Sequence, residues 1–250
     1  QITIAIAALL PLIRHYGGFD KPTLSSLTID VKPIFAIAVP AILTQLATPL
    51  GQAYVTRAMA EFGEAAVAGM AIVARLTPIG FGIIFALSGA IGPIIAQNAG
   101  AGLNERVQRT FRDGLLFTGL VVLVVSALLF LARPAIKMLF QLDDGLALTI
   151  VFLFAGPLSL MFFFNGVIFV SNAAFNNLGY PFYSTTINWG RNTLGTIPFV
   201  IAGAYWYGAP GVLIGQYVGG ALFALLAFFL TRRVMTLQKM ASQRMAEGES

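Results

Sequence analysis

Apolar runs of about 20 or more residues recur along the chain, and the charged residues collect in the short segments between them. A helix needs about 20 residues to cross roughly 30 Å of hydrocarbon, and lipid offers no partner to an unpaired backbone N–H or C=O. Runs of this length are therefore read as transmembrane helices. Of 250 residues, 58% are hydrophobic and 10% are charged, whereas a soluble domain draws about a quarter of its residues from the charged set. The fold class is an all-α polytopic membrane protein.

Six full spans are expected, at 33–56, 65–97, 114–132, 146–172, 181–205 and 211–231. Residues 1–13 read as the end of a preceding transmembrane helix, because they are apolar but too short to span and lack the basic flank and cleavage site of a signal peptide. Residues 14–32 read as a polar cytoplasmic linker, 33–234 as a six-helix transmembrane lobe, and 235–250 as a cytoplasmic tail that is expected to be disordered. Pro78, Pro93 and several glycines mark the second span as the irregular one. The third is rich in Val and Leu and is expected to face lipid.

Orientation follows from the basic residues. Linker 14–32, segment 98–113 and the tail carry ten Lys and Arg, whereas the opposite set of loops carries three, Arg57, Arg133 and Lys137. The richer side, including the C-terminus, is placed in the cytoplasm. The formal charge of +5 is thereby assigned to cytoplasmic loops, and no nucleic-acid partner is expected.

Neutral polar residues inside the spans are the candidate functional groups. Gln45, Thr48 and Gln52 share one face of the first span; Asn165 lies in the fourth; Asn188 and Asn192 sit four apart in the fifth, with Arg191 beside them; Gln216 lies in the sixth. Arg75 is expected to extend to the outer surface. An amide in hydrocarbon needs a partner, which is either another helix or a water-filled cavity. In the cavity reading, Gln45, Thr48, Gln52, Asn165, Asn188 and Asn192 contribute to a substrate or cation site whose apolar wall includes Phe162 and Phe169. Gly211, Gly215 and Gly219 recur every four residues, a spacing for close helix packing. No Asp or Glu lies well inside a span, so the segment offers no strong internal site for ion coupling. Enzyme chemistry is not expected: there is no Cys, the lone His15 lies in the linker, and no metal-ligand cluster or phosphate-binding glycine loop is present. No tightly bound cofactor is expected.

Three stretches carry a family resemblance. Gly92 to Gly102, with Gln97, Asn98, Gly100 and Gly102, closes the second span; Phe62 to Ala71 leads into it; Asn172 to Pro181, with Asn172, Asn176, Gly179 and Pro181, joins the fourth and fifth. In order and spacing they resemble the signatures of multidrug and toxic compound extrusion (MATE) transporters. The resemblance implies two six-helix bundles joined by a cytoplasmic linker, of which this chain is similar to the C-terminal half. It further implies export of organic cations or amphiphilic drugs in exchange for H⁺ or Na⁺. The implied partners are an N-terminal six-helix lobe, membrane lipids and small amphiphilic substrates, in a bacterial inner membrane. The cation-binding acids of some members fall on Thr48 and Asn165 here. A flippase of lipid-linked precursors, which shares the architecture, and a non-transporting membrane scaffold are the alternatives.

Overall fold

The computed structural model describes residues 9–11, 13–14 and 24–248, apart from the side chains of 24–30, 32–33, 36–38, 40–41 and 241–248. The chain divides into two compact units, 1–42 and 43–250. Among the described residues all regular structure is helical: α1 (Leu24–Ala60), α2 (Glu64–Gly100), α3 (Asn104–Leu131), α4 (Arg133–Leu139), α5 (Leu146–Leu153), a π-helical turn (Phe154–Leu158), α6 (Ser159–Asn177), α7 (Pro181–Asn192) and α8 (Ile197–Gly248).

Among the described residues four stretches are long and apolar enough to cross a membrane: Glu64–Gly100, Asn104–Leu131, Leu146–Asn177 and Pro181–Met240, the last of 60 residues. That last stretch doubles back at Gly208, whose φ of 62° and ψ of −144° leave the helix. Its two arms run antiparallel and almost touch, for a Cβ on Gly203 would strike the carbonyl oxygen of Gly211, one on Gly215 that of Phe199, and one on Gly219 that of Gly195. The glycines at four-residue spacing thus form the seam of a helical hairpin, and the absent side chains let its backbones meet. Counting six spans means adding α1 to the four stretches and dividing the last at Gly208.

The helices extend beyond the apolar runs. α3 begins at Asn104, ten residues before the expected span, because Glu105, Arg106, Gln108 and Arg109 are good helix formers as well as polar ones. The expected loop 98–113 shrinks to a turn closed by Gly102, whose φ is +71°, a left-handed conformation suited to glycine. The tail is likewise helical through Gly248 rather than disordered, since neither Gly nor Pro interrupts residues 235–247. α1 starts at Leu24, inside the expected linker; the remainder of that linker with His15, and most of segment 1–13, lie outside the described residues.

Irregularity sits in the fourth and fifth spans instead of the second. α2 stays helical from Glu64 to Gly100 with Pro78 and Pro93 inside it. In the fourth span Ala155 and Gly156 leave helical geometry just before Pro157. Pro157 has no N–H to give to the preceding turn. Arg133 Nη2 donates instead to the Phe152 carbonyl, while its guanidinium lies over the rings of Phe130 and Phe152 at 4.4 and 5.2 Å. In the adjoining loop the Lys137 ammonium hydrogen-bonds Asp144 at 2.5 Å; that bond, then the opposite charge, holds the exposed Asp144 carboxyl below the ordinary carboxylate range.

Packing is inverted relative to a soluble bundle. α3 buries Gly114, Thr118, Val122 and Ser126 at near four-residue intervals and exposes Leu116, Leu120, Leu123 and Leu128, so small and polar groups meet protein while leucines face outward to lipid. The core forms two layers along the bundle. One is built around Phe81, Ile84, Phe154 and Leu213, with Phe81 stacked on Phe162 at 4.1 Å; the other surrounds Ile95, Phe111, Ile168 and Phe175.

Two of the sequence signatures meet in space. A Cβ on Gly92 would lie 2.8 Å from Asn177 Nδ2, and that same nitrogen donates to the Ala173 carbonyl at 2.8 Å. Gly92 therefore makes room for the end of α6 against α2. Gly179, at φ +86°, turns the chain, and Pro181 opens α7, where its fixed φ suits the first helical position and its missing N–H is not needed.

Candidate functional site

A cavity of about 730 Å³ lies among α1, α2, α6, α7 and α8. From α1 it receives Gln45, Thr48, Gln52, Thr56 and Met59, which recur every three or four residues and so project from one helix face. α2 contributes Met70, Thr77 and Phe85; α6 contributes Phe162, Asn165 and Phe169; α8 contributes Gln216 and Tyr217. The aromatic wall is internally braced, with Phe85 edge-on to Phe162 at 5.9 Å and tilted against Phe169 at 5.3 Å.

Arg191 also lines the cavity. It occupies the last turn of α7, beside a break at 193–196 in the middle of the stretch that begins at Pro181. The Trp189 carbonyl accepts both the Thr193 N–H at 2.9 Å and Thr193 Oγ1 at 2.7 Å, and Thr196 Oγ1 donates to the Arg191 carbonyl at 2.9 Å, a carbonyl that the interruption would leave open. The negative end of the helix dipole favours a cation here. The Arg191 guanidinium then crosses to α6, where Nη2 donates to Asn165 Oδ1 at 2.5 Å. An Arg at the centre of a membrane helix is unfavourable by about 2.5–3.5 kcal/mol on insertion scales, so its location needs a reason.

Gln45, Thr48, Gln52, Asn165, Phe162 and Phe169 are brought together around this cavity. Asn188 and Asn192 are not among its lining residues. Asn188 Nδ2 donates to the Ser184 carbonyl and Asn192 Nδ2 to the Asn188 carbonyl, both at 2.8 Å. The Asn192 side chain also fills the space left by Gly51, where a Cβ would stand 2.5 Å from its Oδ1. Both amides bond back to their own helix, and Asn192 packs against α1. Arg75 is exposed and lies outside the lining. Of the signature residues, Asn98 bonds back to the Ile94 carbonyl at 2.8 Å, Gln97 and Asn176 are exposed and Asn172 is half-buried; Gly100 closes α2, and none of them reaches the cavity.

Sequence reasoning passed over Thr56, which continues the Gln45, Thr48, Gln52 series by one more turn, and Tyr217, which adjoins Gln216. Among the described residues no group of three or more His, Asp or Glu side chains is placed to hold a metal ion. A second concavity of about 730 Å³ opens between the start of α3 and the end of α8, where Arg109, Arg112, Arg232 and Lys239 border Phe111 and Phe228.

Comparison with known proteins gives this geometry its context. The MatE family profile matches residues 40–201. An uncharacterized 21 kDa protein from the iaaL 5′ region of Pseudomonas savastanoi is 34% identical over 220 residues, covering 83% of this chain and 68% of that protein. A FAD transporter of Shewanella oneidensis is 27% identical over 248 residues, 93% of this chain and 52% of that one. In fold, the chain is similar to the Vibrio cholerae MATE transporter VcmN in its bent form, with a TM-score of 0.81 at 21% identity, over 95% of this chain and 54% of that one. It is also similar to a MOP superfamily transporter from Pyrococcus furiosus, with a TM-score of 0.80 at 18% identity and the same coverage of 95% and 54%. The chain thus spans about half the length of these solved transporters and of the Shewanella relative. A profile match over most of the chain, together with the Pseudomonas relative, makes this multi-pass membrane protein a member of the MatE family, whose proteins are transporters and not enzymes.

Proposed function

We propose that this chain is the C-terminal lobe of an antiporter that exports small amphiphilic organic molecules, driven by H⁺ or Na⁺, and that an N-terminal six-helix lobe completes the transport path. The observation that carries this reading is the cavity itself: neutral polar groups from α1 and α6 line it together with the aromatic side chains of Phe85, Phe162 and Phe169. Such a lining suits ligands with an apolar body and a few polar atoms. The interrupted stretch at 193–196 supports it further, because broken membrane helices are where secondary transporters commonly build their sites. Organic cations and drugs are the substrates that the family resemblance implies. The Shewanella relative is named a FAD transporter, and FAD joins flat aromatic rings to a flexible, negatively charged diphosphate chain, so the proposal covers amphiphiles of either charge.

The coupling acid is assigned to the other lobe, since no Asp or Glu among the described residues lines this cavity. The chain is assigned to a bacterial plasma membrane with its C-terminus in the cytoplasm, on the strength of the basic-residue bias. There the groove of Arg109, Arg112, Arg232 and Lys239 would meet anionic lipid head groups. A flippase for lipid-linked precursors is less well supported, because a pyrophosphate calls for several cationic side chains and the cavity lining supplies Arg191 alone. A scaffold has no use for a polar-lined cavity.

The test is reconstitution. The complete two-lobed carrier in proteoliposomes is expected to move amphiphilic dyes in response to an imposed H⁺ or Na⁺ gradient, while vesicles holding this chain alone are expected to show none. Gradient-driven exchange by the isolated chain would contradict its assignment as half of the path.

A further inference from the structure

We propose that the cavity recognises the negatively charged group of an organic anion, a carboxylate, sulfonate or phosphate, with Arg191 as its binding residue. This rests on the transport reading above and sharpens it to a substrate class.

The charge pattern carries the inference. Among the described residues Arg191 is the one charged residue lining the cavity, and no Asp or Glu accompanies it. Its hydrogen-bond acceptor is neutral, Asn165 Oδ1 at 2.5 Å, and none of the ion pairs among the described residues includes Arg191. A guanidinium carries five N–H donors in a planar fork that matches a carboxylate or phosphate edge, and it stays charged at any physiological pH. Asn165 can accept only at its amide oxygen, so the pair leaves most of the fork unspent. The neutral acceptor fixes the guanidinium without neutralising it. That arrangement keeps a full positive charge available to whatever enters.

The surroundings say what else the ligand carries. Phe85, Phe162 and Phe169 form a braced aromatic wall on one side, and Gln45, Gln52 and Gln216 offer amide groups elsewhere in the lining. A flat or aromatic body against the phenylalanines, with its acidic group at Arg191, satisfies both. An organic cation in the same place would meet like charge and find no carboxylate among the described lining residues to answer it.

The inference can be read by equilibrium binding, independently of transport. Two xanthene dyes share a skeleton and differ in charge: carboxyfluorescein is anionic and a rhodamine ester is cationic. Fluorescence polarisation with the purified complete carrier is expected to show tighter binding of carboxyfluorescein. Arg191→Gln is expected to weaken that binding about tenfold or more, the scale of one charge-assisted contact, while rhodamine binding stays equal or tightens. Arg191→Lys should restore part of the anion affinity. Asn165→Asp places a carboxylate beside Arg191 in an almost isosteric side chain and is expected to reproduce the loss, so it decides the matter should Arg191→Gln fail to fold. Tighter binding of the cation by the wild type, or an anion-to-cation affinity ratio unmoved in either variant, would overturn the proposal; the first result is also what an acid from the partner lobe, neutralising Arg191, would produce. Gradient-driven uptake measured in parallel tests the transport reading separately, since charge-selective binding without uptake refutes transport and uptake without that selectivity refutes the anion site.

Discussion

Arg191 reaches from the broken end of α7 to Asn165 on α6, where its Nη2 donates to Oδ1 at 2.5 Å. Two consecutive helices are thereby tied at the cavity wall. In a double-mutant cycle, Asn165→Leu and Arg191→Met are expected to be non-additive, with a coupling of about 0.5–3 kcal/mol in unfolding of the purified protein. Strict additivity would mean that the two side chains do not share this bond.

The hairpin at Gly208 predicts a sharp contrast between glycines. Gly219→Ala is expected to destabilise by at least about 1–3 kcal/mol, because the added Cβ would strike the backbone carbonyl of Gly195, which no rotamer change can move. Gly82 has nothing within 4 Å of its would-be Cβ. Gly82→Ala is expected to be neutral or to stabilise α2 by up to about 1 kcal/mol. The fraction of monodisperse protein surviving a heating series separates the two, and equal tolerance at both sites would contradict the close approach of the arms.

Arg133 and Pro157 form a compensating pair. Arg133→Leu leaves the Phe152 carbonyl without its donor and is expected to lower stability by about 1–3 kcal/mol. Pro157→Ala restores an N–H to that turn, so Arg133→Leu is expected to be less harmful in the Pro157→Ala background. An undiminished penalty there would show that Arg133 serves chiefly through its stacking on Phe130 and Phe152.

Much of this was legible in the sequence, and the misses have physical causes. Run length revealed the spans because hydrocarbon thickness sets a minimum helix length. It did not reveal where helices end, as Arg, Glu and Gln continue a helix into water as readily as Leu continues it through lipid. Helical spacing put Gln45, Thr48 and Gln52 on a common face, and they share the cavity. The same spacing paired Asn188 with Asn192, yet these bond back to carbonyls four residues earlier, an alternative that a four-residue interval always offers. Arg191 stands beside that stripe, but one residue along a helix is a turn of about 100°, enough to direct it to the cavity while Asn192 packs against α1. The hairpin seam was half visible: Gly211, Gly215 and Gly219 announced a close contact, but only the fold shows that their partners are Gly203, Phe199 and Gly195.

The central claim is that the cavity of Gln45, Thr48, Gln52 and Asn165 is part of a transport path. This chain has no Cys, so a single cysteine can be placed in it within a complete carrier from whose other lobe any cysteines have been removed. Thr48→Cys lines the cavity, whereas Leu120→Cys replaces a side chain that is 64% exposed on the outer face of α3. The measurement is the rate of modification by a water-soluble maleimide in membrane vesicles, with and without a transported dye. The account predicts that Thr48→Cys is modified faster than Leu120→Cys and that the dye slows modification at position 48 alone. Modification of Thr48→Cys no faster than at the lipid face, and indifferent to the dye, would contradict it.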